Sequence, residues 1–149
     1  MPKGIQPRAG LVPPTSERAD VLPTTVTVRL PPAFEDARGA IQPLIDAPMK
    51  SCVLITSRKG SVRANHYHKT DWHYCYVIEG EIEYYERPVG SSDPPTRTVV
   101  RTGELFFTGP MVEHTMLFTE DTTFLTLGGN SRLQASYEAD VVRIPPLIP

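Results

Sequence analysis

The sequence predicts an all-β barrel or sandwich, on two observations. Short β-branched and aromatic runs recur along the middle of the chain, separated by Gly- and Pro-rich turns at close spacing. No stretch carries the apolar period of an amphipathic helix longer than about two turns. At 149 residues the chain fits one domain with a core of its own.

The elements follow in order. Seven of the 16 prolines fall in the first 32 residues, so residues 1–22 read as an extended or disordered N-terminal arm, with the barrel over 23–149. Thr24–Leu30 alternates and is β-branched, and Cys52–Thr56 reads as a buried strand. Tyr74–Ile78 and Glu81–Tyr85 flank Glu79-Gly80, the signal of a tight hairpin. Further strands are expected over Arg97–Arg101, Glu104–Phe107, Glu113–Phe118 and Thr122–Leu127. The tail Ile144–Pro149 is extended, because its prolines exclude helix. Tyr74–Ile78 is apolar on both faces, so one face fills the barrel and the other needs cover. The N-terminal arm or a second subunit supplies it, and a homodimer is the simpler expectation.

Composition narrows the function. A net charge of −2 with scattered Lys and Arg builds no basic face, so nucleic acid is not an expected partner. No apolar run approaches the roughly 18 residues that span a bilayer, and the start carries no secretory h-region. The expected location is cytoplasmic, with Cys52 and Cys75 both free thiols. A small-molecule substrate is the expected partner.

The four histidines carry the chemistry. His66 and His68 are two apart and project from one face of a strand; His73 opens the next strand, and His114 arrives from a separate one. Imidazole nitrogen suits Zn, Cu, Fe and Ni, and Mn occurs in such pockets. Histidines satisfied by ordinary hydrogen bonds are an equally good reading of the HxH pair with a third histidine nearby.

The surrounding glycines give a more specific reading. Gly60, five residues, His66-Tyr-His68, four residues, His73, six residues and Gly80 resemble the first motif of the cupins. That family usually has glutamate at the His73 position, and some members have histidine. Gly103, Gly109-Pro110 and His114 resemble the second motif, with departures. Gly109 stands where the family has proline, Met111 where it has glycine, and Phe118 where it has asparagine. The resemblance covers residues 60–118. It implies a double-stranded β-helix (jelly-roll) barrel holding one divalent transition metal, Zn, Ni, Fe, Mn or Cu, on His66, His68, His73 and His114.

A narrower resemblance lies in Asp36-Ala-Arg-Gly39, in Arg63 ahead of His66-Tyr-His68-Lys69, and in Gly109-Pro110 with His114. These are similar to the sugar-nucleotide 3,5-epimerases and 3,4-ketoisomerases. In that group paired histidines transfer protons without a metal, which would make His66 and His68 catalytic and Arg63 a pocket arginine. Strict alternation puts Arg63 on the face opposite His66, so its role requires an irregular strand. A keto-sugar isomerase or epimerase is the preferred class. An Fe- or Cu-dependent dioxygenase and a non-catalytic ligand- or metal-binding module are the alternatives. Trp72 is expected to pack rather than to floor a sugar ring, and Asp36 and Arg38 to pair at a turn.

Overall fold

The computed structural model describes residues 22–149. The arm expected over 1–22 therefore lies outside the described residues, except for Leu22.

Twelve strands and one short helix follow in chain order. They are β1 (Thr27–Val28), β2 (Phe34–Asp36), β3 (Gly39–Ile41), β4 (Ser51–Ser57), β5 (Val62–His68) and β6 (His73–Glu79). Then come β7 (Glu81–Pro88), β8 (Thr96–Arg101), β9 (Leu105–Thr108), β10 (Val112–Phe118), β11 (Thr122–Gly128), α1 (Gln134–Asp140) and β12 (Val141–Arg143). Two five-stranded antiparallel sheets face each other, ordered β1-β9-β6-β11-β4 and β12-β5-β10-β7-β8. β2 and β3 form a separate hairpin, whose turn is fastened by Arg38: its backbone N–H donates to Asp36 Oδ1 at 2.8 Å.

The core is what alternation dictates. Val77 from β6, Ile82 and Tyr84 from β7, Phe106 from β9, Phe118 from β10 and Phe124 from β11 are all fully buried between the sheets. The outer face of β6 is covered by the chain itself at Tyr74 and Tyr76, and Ile78 beyond them is exposed. Leu22, Val28, Leu30 and Ile45 pack with Tyr74, Trp72, Leu105 and Phe107. Trp72 is packing, as expected; a Cβ on Gly129 would stand 2.5 Å from its ring.

Three expectations are corrected. Glu79-Gly80 is not a hairpin: β6 pairs with β9 and β11, and β7 with β10 and β8. The chain turns a corner between sheets there, with Gly80 at φ 118° and so tight against Thr122 that a Cβ would meet backbone at 2.6 Å. The local turn sequence is the same for both outcomes. The strand expected over Thr24–Leu30 contracts to Thr27–Val28, since it pairs only with Leu105–Phe106 at the sheet edge and prolines close behind it end the ladder. β4 is not buried. It pairs only with β11, and Leu54 on its outer side is 63% exposed.

Candidate functional site

β5 supplies two histidines, and its path is not regular. Ala64 and Asn65 both have positive φ, 70° and 55°. Opposite β10 the register runs His114↔His66, then Thr115↔Ala64 and Met116↔Arg63, so Asn65 is left over as a β-bulge. His114 and Met116 are buried on the inner face of β10, and antiparallel partners share a face. The extra residue therefore brings Arg63 to the inner face with His66, the irregularity that its pocket role requires. Asn65 is fixed in place: Thr115 Oγ1 donates to its Oδ1 at 3.0 Å, and Ile144 N–H to its backbone oxygen at 2.9 Å.

The four histidines meet at the mouth of the barrel, lining a cavity of about 340 Å³. Ring centroids are 4.8 Å apart for His66–His68, 4.7 Å for His66–His114 and 4.7 Å for His68–His73. The ligand atoms of His66, His68 and His114 lie within 4.8 Å of one another, whereas His73 groups with His68 and Asp71. The arrangement is thus three imidazoles with a fourth beside them.

One ring is held from behind by a hydrogen bond, and two others stand beside carboxylates. His114 Nδ1 donates to the Val112 carbonyl at 2.9 Å, which leaves Nε2 with its lone pair. His73 Nε2 lies 3.2 Å from Asp71 Oδ2. His68 Nδ1 lies 3.4 Å from Asp140 Oδ2 but is misaligned for a hydrogen bond, and it is the one buried side-chain polar atom without a partner among the described residues. Both carboxylates are anchored. Asp71 Oδ1 accepts from the backbone N–H of Trp72 and of Asn130, each at 2.8 Å. Asp140 accepts from Thr70 N–H at 2.8 Å, Thr70 Oγ1 at 2.7 Å and Asp71 N–H at 3.0 Å.

Burial keeps these imidazoles neutral. Desolvation, helped by the neighbouring histidines, lowers His66 to about 2 and His73 to about 3. Desolvation holds His114 at about 4 against the Val112 hydrogen bond, and lowers His68 against the pull of Asp71 and Asp140. Nitrogen lone pairs are therefore available throughout the physiological range, as metal ligation requires. An ion with bonds of about 2.1 Å keeps its nitrogens within about 4.2 Å of each other, so the trio need close by no more than about 0.6 Å.

The remaining wall comes from the end of the chain. Arg143 lies opposite His66 in the β12–β5 register, and Arg132 and Tyr137 flank and form part of α1. Sequence reasoning missed Asp71, Asp140, Arg132, Tyr137 and Arg143. Asp71 could have been found two residues before His73; the others carry no motif. Cys75 lines the cavity floor, and full burial pushes its thiol well above the usual range. Both cysteines are free. Asp36 and Arg38 lie outside the cavity lining. Glu113 points away from it and pairs with Arg87 at 3.0 Å.

Two facing antiparallel sheets closed around a histidine-lined mouth define a double-stranded β-helix barrel. The chain belongs to the cupin family: the cupin domain matches residues 53–127, half of its length. No curated protein matches it by sequence. Among solved structures it is similar to the sugar 3,4-ketoisomerase QdtA from Thermoanaerobacterium thermosaccharolyticum, in a complex with TDP. That likeness has a TM-score of 0.66 and 22% identity over 83% of this chain and 89% of the other. A dTDP-4-dehydrorhamnose 3,5-epimerase from Sulfolobus tokodaii gives 0.63 and 19% over 83% and 78%. A 3,4-ketoisomerase from Helicobacter canadensis gives 0.62 and 18% over 75% and 85%. At these identities the likeness establishes the fold. No helix among the described residues is long and apolar enough to cross a membrane.

Proposed function

We propose that His66, His68, His73 and His114 hold one divalent transition metal, and that the protein is an enzyme acting on a small oxygenated substrate. Keto-sugar isomerisation or epimerisation is the reaction class. One observation carries the metal reading: His114 Nδ1 is committed to a backbone carbonyl, and His68 Nδ1 and His73 Nε2 stand beside carboxylates, so each ring keeps its other nitrogen for a ligand role. That is how metal-binding histidines are oriented. A bound metal would polarise the substrate's carbonyl oxygen. His66, His73 and His114 are too weakly basic near pH 7 to shuttle protons well, which favours a ligand role over an acid–base one.

The reaction class is supported by the sugar-nucleotide enzymes among the solved structures of this fold. The cavity chemistry agrees with it, for among the described residues Arg63, Arg132 and Arg143 line the cavity and no carboxylate does. Arg63 is preorganised: its Nε donates to Ser57 Oγ at 2.7 Å and its Nη2 to the Thr56 carbonyl at 3.1 Å. Leu54 and Ile78, 63% and 43% exposed on the outer side of one sheet, support a homodimer.

Elemental analysis after mild purification should find about one metal ion per chain. His73→Ala should lower occupancy, and His73→Glu should restore it with a preference shifted toward oxygen-preferring ions such as Mn. A folded, metal-free protein, or full occupancy in His73→Ala, overturns the four-histidine centre. Deuterium incorporation beside the carbonyl of a dTDP-4-keto-6-deoxysugar tests the reaction class, and oxygen consumption in its place would make the protein a dioxygenase.

A further inference from the structure

The three arginines of the cavity differ in what they have left to offer. Arg143 is engaged by Glu138, to which Nη1 and Nη2 donate at 3.0 and 2.9 Å. Arg63 spends its Nε on Ser57 and one Nη2 hydrogen on the Thr56 carbonyl. Arg132 has no hydrogen-bond or ion-pair partner among the described residues. Its guanidinium carbon instead stands 3.5 Å from the ring centroid of Tyr137, which itself lines the cavity.

Stacking of this kind fixes the plane of a guanidinium without using any N–H. All five donors of Arg132 remain available, in the fork that fits two oxygens of one oxyanion. Among the described residues no carboxylate shares the cavity lining to compete for it. The residue is exposed, so it stands where a ligand arrives from solvent. Tyr137 is half-buried and its ring lies 5.7 Å from that of His68. A molecule gripped by Arg132 is thereby within reach of the histidine cluster at its other end.

We propose that Arg132, held flat on Tyr137, is the anion-recognition residue of this site and selects substrates that carry an oxyanion as well as the reacting carbonyl. The oxyanion is a carboxylate of a small keto acid or the diphosphate of a sugar nucleotide. Both offer paired oxygens to a guanidinium fork. This assignment rests on the reading of the histidine mouth as a substrate site.

Calorimetric titration of the purified protein decides it, with metal content measured on every sample. Pyruvate serves as the carboxylate probe, TDP as the diphosphate probe and dihydroxyacetone as the neutral one. The protein should bind pyruvate or TDP, and whichever binds names the source of the oxyanion. Arg132→Gln should weaken that binding by roughly 10- to 100-fold. Arg132→Lys should recover only part of it, because a point charge cannot replace the fork. Tyr137→Leu should cost severalfold through loss of the stacked plane, and dihydroxyacetone should bind all variants alike. Failure of both anions to bind, or unchanged anion affinity in Arg132→Gln, overturns the proposal. Metal content keeps the two readings apart. Arg132-dependent anion binding in a protein without metal would sink the metal centre and leave this assignment standing.

Discussion

The two ends of the barrel interior are built from the same strands and do opposite things. Toward one end, β10 presents Phe118 and β11 presents Phe124, whose rings lie 5.6 Å apart in the buried apolar core. Toward the other, β10 presents His114 and β5 presents His66 and His68. The first end loses nothing polar on burial and stabilises the fold. The second buries imidazoles that would rather be hydrated, a cost that stable proteins bear at functional sites. A single strand such as β10 thus grades from function to stability within four residues. The barrel supplies the rigidity and the mouth consumes some of its stability.

Breaking the dry end should have the largest effect. Phe118→Ala leaves a cavity in the closed core and should lower stability by about 3–5 kcal/mol, read from urea unfolding. Metal content of the fraction that stays folded should not change, because Phe118 touches no histidine side of the barrel.

Acid should expose the cost of the polar end. The folded pKa values of His66, His73 and His114 are depressed below the ordinary 6.5. The unfolded chain therefore binds more protons than the folded one once pH falls below about 6.5. Stability of the metal-free protein is flat above that value with respect to these groups, and declines as pH drops toward the folded values. By pH 5 the loss should be on the order of 2 kcal/mol for each such histidine. Melts of chelated protein at pH 7.5 and 5 measure it. A melt insensitive to pH over that interval would show that the histidines are hydrated in the folded state.

The smallest effect should come from behind the site. Asp140→Asn keeps the size of the side chain but removes the charge beside His68, and should weaken metal binding by roughly 10- to 100-fold. Competition with a chelator reads this directly. Folding should suffer less than in Phe118→Ala, since the amide oxygen still accepts from Thr70 and only the bond from the Asp71 N–H to the second oxygen is lost.

How far sequence reasoning reached depends on the range of the signal. Spacing placed His66 and His68 on one face because a strand has period two, and the glycines of the motif marked corners where φ is positive, as Gly80 and Gly103 confirm. Partner choice between strands is not local, which is why Glu79-Gly80 read as a hairpin when it joins two sheets. The same holds for Asp140, which meets His68 from 72 positions along the chain. Its neighbours in sequence, on a seven-residue helix, carry no pattern that announces a pocket.

The leftover residue Asn65 has one more consequence. Ahead of it the odd-numbered Arg63 faces the interior; beyond it the even-numbered His66 and His68 do. The bulge acts as a frameshift in three dimensions, changing which parity of the sequence is read by the cavity while leaving the strand, its partners and its length in place. The bulge alone therefore decides whether the pocket holds a guanidinium: were Asn65 to pair with Thr115, Ala64 would take the inner position and Arg63 the outer one. Deleting Asn65 should flatten the bulge and leave both groups inside, because Arg63 then stands two positions before His66, a spacing that a regular strand puts on one face.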